Sequence, residues 1–116
     1  RYALKAVGLL EEIQDFPDGL NTQLETGGAP LSFGQATRLM LARSIVCQPR
    51  LLVLDETLDD LDPSLRDKIL DAVLGRKSPW TVLAISHNPE IARACDRQIH
   101  FSRLDNLTPA SISSET

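Results

Sequence analysis

The chain has 116 residues, enough for one small domain at most, and its 42% hydrophobic content suffices for a core. A net charge of -4 with 4% aromatic residues excludes a basic field for nucleic acid or anionic lipid, so no direct nucleic-acid contact is expected. No stretch approaches the roughly 20 apolar residues of a membrane span, the start Arg1-Tyr2-Ala3-Leu4-Lys5 lacks the order of a signal peptide, and Cys47 and Cys95 have no metal-ligand spacing. The segment reads as soluble, with its cysteines as small buried hydrophobes in a reducing compartment.

Residues 2 to 13 place Ala3, Ala6, Leu10 and Ile13 on one face and predict a helix. Phe16-Pro17-Asp18-Gly19 is a turn signal that stops it, because proline presets φ and glycine accepts a positive one. Leu20 to Pro30 has no period, contains Gly27-Gly28, and reads as an ordered loop. Ser32 followed by Gln35 has the form of a capping box opening a helix to about Cys47, with Ala36, Leu39, Met40, Arg43, Val46 and Cys47 on its packed face. Such a helix start, with a hydroxyl and a glycine beside free N–H groups, suits an anion, although it is equally the form of an ordinary N-cap.

Gln48-Pro49-Arg50 breaks the helix before Leu51-Leu52-Val53-Leu54, an apolar run expected to be a strand buried on both faces of a parallel sheet. It ends in the paired carboxylates Asp55-Glu56, at the strand end where open α/β sheets place their ligands. There one carboxylate can hold a hydrated Mg²⁺ while the next orients a water toward a phosphate; the plainer reading is a strand running into an acidic turn. The acidic loop 57–62 closes on Asp62-Pro63, an N-cap with proline at the first helical position, and predicts a helix to about Leu74. Its expected buried face is Leu65, Ile69, Ala72 and Val73, with Arg66, Asp67, Lys68 and Asp71 toward water.

Gly75 and Lys77-Ser78-Pro79 make the next turn, and Trp80 to Ser86 reads as a second buried strand ending at His87. Asn88-Pro89-Glu90 caps another helix carried by Ile91, Ala92 and Cys95, Gln98 to Phe101 is expected as a short strand, and residues 102–116 as a poorly ordered tail. The alternation of strand and helix implies an α/β fold with parallel strands and right-handed crossovers.

Leu31-Ser32-Phe33-Gly34-Gln35, Arg38, Ala42-Arg43, the run from Leu51 to Glu56, Leu61-Asp62 and His87 together resemble the C-terminal part of an ABC-type ATPase domain, from about Phe16 to Phe101. They stand in the family's order of signature loop, Walker B strand, D-loop and switch histidine. The resemblance implies a partial P-loop NTPase fold, with residues 1–48 as part of the helical signature subdomain and 49–101 as the Walker B half of the core. It implies that Asp55 holds Mg²⁺ through water, that Glu56 is the general base or water-positioning group, and that His87 contacts the γ-phosphate of ATP. It also implies that Ser32, Gly34 and Gln35 face the γ-phosphate held by a second ATPase domain in a head-to-tail dimer, and that Asp62 couples the two sites. His100 has no motif around it and reads as structural.

Pro17-Asp18-Gly19-Leu20 with Thr22, ahead of Gly27-Gly28, looks like the exporter-type domains of the family, which implies a transmembrane partner and a place at the cytoplasmic face of a membrane. Phe33 stands where the family usually has glycine, so it lacks glycine's freedom at positive φ and could crowd a phosphate. Asp59 and Asp60 replace small residues of the D-loop and add negative charge near an anionic ligand. The G-x-x-x-x-G-K-[ST] phosphate loop is missing, since no lysine in this sequence follows such a glycine pattern, so the chain reads as a piece that is inactive alone. Two other readings stay open. One is an ABC-like ATPase of DNA repair or chromosome organisation, which would place heptads where residues 14–30 carry turns; the other is a non-hydrolysing module that regulates a partner.

Overall fold

A glycine divides the first helical stretch. The computed structural model describes residues 1–75 and 78–101, and the expected single helix over residues 2 to 13 is two, α1 (Tyr2–Ala6) and α2 (Leu10–Gln14). Gly8 sits between them at φ +63°, a left-handed conformation that glycine adopts without cost. The break has a packing reason. Val7 and Leu9 are fully buried, and two residues two apart on a continuous helix would point to nearly opposite sides.

A 3₁₀ turn at Gly19–Asn21 leads through the 20–30 loop to α3 (Phe33–Val46), which begins at the expected capping box. Its packed face differs from the expected one: Arg38, Leu41, Ala42 and Ile45 are buried, whereas Met40 and Val46 lie mostly in solvent and Arg43 and Cys47 are exposed. The reason is Arg38. Its guanidinium is held by Glu12 of α2, so a charged residue takes a core position and the apolar face rotates to follow it.

The strand β1 (Leu51–Asp55) pairs in parallel with β2 (Thr81–Ile85), Leu51 opposite Thr81 and Asp55 opposite Ile85, with α4 (Pro63–Leu74) as the crossover. The expectation that both strands are buried on two faces does not hold. Leu52 and Leu54 are 4% exposed, but Leu51, Val53, Leu83 and Ile85 are each about half exposed, because the described helices cover one face of the two-stranded sheet. One cluster, including Val7, Leu9, Leu41, Ile45, Leu54 and Ile69, joins the helices to the covered face.

The helix α4 has the predicted bounds, but Arg66 is buried instead of facing water, its guanidinium donating to Glu90 of α5 (Pro89–Ala94). Trp80 lies just before β2 rather than within it, and its indole N–H donates to the Val73 carbonyl at 2.9 Å. Gln98 to Phe101 forms no strand, and Ile99 and Phe101 are exposed. The cysteines are not the buried hydrophobes expected: Cys47 is exposed and Cys95 partly buried, where desolvation and then the Asp96 charge push its thiol pKa up. No described helix is long and apolar enough to cross a membrane. The expected tail at 102–116 lies outside the described residues.

Candidate active site

Register brings the chemistry to one end of the sheet. With Asp55 opposite Ile85, the residues that follow each strand emerge side by side, and the Glu56 N–H donates to the Ile85 carbonyl at 2.8 Å. The backbone of Glu56 is left-handed at φ +50°, which costs a residue with a Cβ about 1–2 kcal/mol. This turn aims the carboxylate at the other strand's exit, where His87 Nε2 lies 3.1 Å from Glu56 Oε1. Both side chains are mainly in solvent, so the pair is accessible to a ligand.

Asp59, three residues on, ties the two exits together. Its carboxylate accepts from the Ser86 hydroxyl at 2.6 Å and from the His87 N–H at 3.0 Å, and Ser86 Oγ accepts from the Asn88 N–H at 2.9 Å. Leu58, buried beside it at 2% exposure, anchors the loop in the core. The negative charge expected to oppose a nucleotide therefore sits in a hydrogen-bonded position, whereas Asp60 is exposed. Asp55 is exposed at the strand end, and no hydrogen bond or ion pair among the described residues engages its carboxylate. No group of three or more metal-binding side chains occurs among those residues. A single available carboxylate fits Mg²⁺ nonetheless, since that ion keeps its waters and takes further oxygens from phosphates.

The signature residues form a second cluster on α3. Ser32 Oγ accepts from the Gln35 N–H at 3.2 Å, and Gln35 Oε1 accepts from the Ser32 N–H at 2.9 Å. Gln35 Nε2 donates to Glu12 at 2.9 Å, and Glu12 also takes two bonds from Arg38, at 2.7 and 2.9 Å. Arg38 donates further to the carbonyls of Gly8 and Gly34, and its hydrogen bonding holds the Glu12 carboxyl below the usual carboxylate range. A Cβ at Gly34 would meet nothing within 4 Å, so the helix start is open to approach. Phe33 has helical backbone, is absent from the positive-φ residues and is 85% exposed, so its place does not call on glycine's freedom.

Asp62 caps α4, accepting from the N–H groups of Ser64 and Leu65 and from the Ser64 hydroxyl. That hydroxyl, followed by the Leu65 N–H, lowers its pKa. Among the described residues no hydrogen bond or ion pair joins the signature cluster to the Glu56–His87 pair. Glu12 had no motif to mark it, and Asp59 was marked only as a charge in the D-loop, because their partners lie 23 to 28 residues away.

The ABC transporter family model matches residues 4–59. The chain is 33% identical over 94 residues, 81% of its length, to the ABC-type transporter fsqE of Aspergillus fumigatus, covering 7% of that protein. It is 36% identical to the lactococcin-G-processing and transport ATP-binding protein LagD of Lactococcus lactis, over 84% of this chain and 14% of that one. It is also 36% identical to the phosphate import ATP-binding protein PstB of Cutibacterium acnes, over 86% of this chain and 36% of that one. A bacterial Atm1-family ABC exporter with ATP bound superposes with a TM-score of 0.70 at 28% identity, over 78% of this chain and 16% of that chain. The chain belongs to the ABC transporter family, as a segment of its ATP-binding domain with a partial P-loop NTPase fold. It spans between 7% and 36% of the length of these three curated relatives.

Proposed function

We propose that this chain is the signature-to-switch-histidine segment of the ATP-hydrolysing domain of an exporter. The observation that carries the reading is the 3.1 Å approach of His87 Nε2 to Glu56 Oε1 at the carboxyl ends of two paired parallel strands. A carboxylate there can accept a proton from an attacking water, and a histidine in contact with it can link that water to a terminal phosphate. Asp55, free at the same strand end, is the residue to hold Mg²⁺, which when bound supplies charge neutralisation to the phosphates. Ser32, Gly34 and Gln35, at an open helix start, are assigned to the nucleotide on a second ATPase domain, and Asp62 to coupling across that dimer.

The exporter assignment rests on Pro17-Asp18-Gly19-Leu20 with Thr22 and on the likeness to an Atm1-family exporter and to a processing and transport protein. The equal identity to a phosphate import protein shows that identity alone does not set the direction. In this reading residues 1–48 belong to the helical subdomain and 49–101 to the core, a transmembrane domain holds the assembly at the cytoplasmic face of a membrane, and the segment alone is inactive. The exposed Leu51, Val53, Leu83 and Ile85 agree with it. Each stands to gain on the order of 1 kcal/mol from being covered by further elements of a core.

The reading frame upstream of Arg1 tests the proposal. A phosphate loop preceded by apolar spans is the expected result. A phosphate loop followed by long heptads would move the protein to the DNA-associated class, and no phosphate loop would favour a non-hydrolysing module.

A further inference from the structure

The proposed chemistry uses Glu56 and His87 but leaves Asp59 without a task. The His87 side chain is 89% exposed, so little packing holds its ring, and its place is set by its backbone. That backbone is held by one carboxylate. Asp59 takes the His87 N–H on Oδ2 and the Ser86 hydroxyl on Oδ1, and Ser86 in turn takes the Asn88 N–H, so residues 86–88 hang on Asp59. Bonds to an ionised acceptor are about twice as strong as neutral ones. Asp59 is itself fixed from behind by buried Leu58 and by its own N–H, which donates to the Glu56 carbonyl at 3.3 Å. The same short loop thus begins at Glu56 and grips the segment that presents His87.

We infer that Asp59 is a positioning residue, which holds the His87 loop so that the imidazole meets the Glu56 carboxylate. The inference rests on the reading of Glu56 and His87 as the hydrolytic pair. Both carboxylate oxygens of Asp59 are engaged by Ser86 and the His87 backbone, so its effect is carried by His87 and is expected on kcat rather than on KM for ATP.

In the full-length protein that contains this chain, Asp59→Ala is expected to lower kcat about tenfold while KM stays within about twofold, since small misplacement of a catalytic group is costly. Asp59→Asn, which keeps one acceptor oxygen, is expected to recover part of the loss. In a His87→Ala background Asp59→Ala should change the residual turnover by less than about twofold, because the group it positions is gone. Hydrogen exchange supplies a readout independent of turnover: the peptide containing Ser86–Asn88 should exchange faster in Asp59→Ala, with the peptides of α4 unchanged. Equal losses of kcat in the two backgrounds, or unchanged exchange at 86–88, would overturn the inference. Normal turnover in Glu56→Gln would instead overturn the hydrolytic reading, while the exchange measurement still decides whether Asp59 holds the loop.

Discussion

At the scale of single residues, Gly8, Gln48 and Glu56, three of the six described positions with positive φ, hold that backbone for different reasons. Gly8, at φ +63°, lets Val7 and Leu9 both enter the core, and a Cβ there would come within 2.7 Å of Leu65 Cδ1. The leucine tip can move, so the cost of Gly8→Ala is mainly the strained backbone, about 1–2 kcal/mol; a fall in denaturation midpoint with unchanged slope is the expected result. Gln48, at φ +46° just beyond α3, holds the position where helices prefer glycine. Gln48→Gly relieves about 1–2 kcal/mol of strain and forfeits somewhat less than 1 kcal/mol through the looser unfolded chain, so a net gain of about 0.5–1 kcal/mol is expected in the same denaturation. Glu56 carries similar strain at φ +50°, but glycine there would remove the carboxylate. Stability is given up at Glu56 where the geometry serves the site, and at Gln48 for no reason that the structure shows.

At the scale of elements, α2 and α3 are joined by the Glu12–Arg38 pair, and this tie depends on pH. Arg38 is 7% exposed while the Glu12 side chain is 42% exposed, so removing the acid leaves a largely buried guanidinium short of partners, at about 1–2 kcal/mol after allowance for solvent at the glutamate. Because the Glu12 pKa is depressed in the folded state, its contribution is full above the unfolded glutamate value of about 4.3 and is lost as pH falls through the folded value below it. The Tm of the chain should therefore drop more steeply between about pH 5 and 3 than that of Glu12→Gln, with Asp62 contributing the same sign to both. Parallel curves would show that the pair does not form. This level also separates what was legible from what was not. The starts of α3, α4 and α5 were readable because each cap is local: Ser32 with Gln35, Asp62 before Pro63, Asn88 before Pro89. The packed faces of α3 and α4 were not, since Arg38 and Arg66 are buried by Glu12 and Glu90, 26 and 24 residues away. Glu56 and His87 were readable as motif residues, whereas Asp59 looked like an unfavourable charge until Ser86 and the His87 backbone were found on it.

At the scale of the whole molecule, one apolar face of the sheet is covered and the other is about half exposed, and the strand periodicity could not foretell this. Four bulky residues in a row at 51–54 read as burial on two sides, and the described helices supply one. At the sheet's carboxyl end Asp55, Glu56 and His87 emerge together, while the cluster of Ser32, Gln35, Arg38 and Glu12 stands apart at the start of α3. That separation suits a site completed by a second domain. The central claim is that Glu56 does the proton chemistry of ATP hydrolysis, and the most direct measurement is steady-state Mg-ATP turnover with parallel nucleotide binding for Glu56→Gln in the full-length protein. The account predicts a fall in turnover of at least about 100-fold with ATP affinity held within about twofold. Turnover close to that of the unsubstituted protein would contradict it.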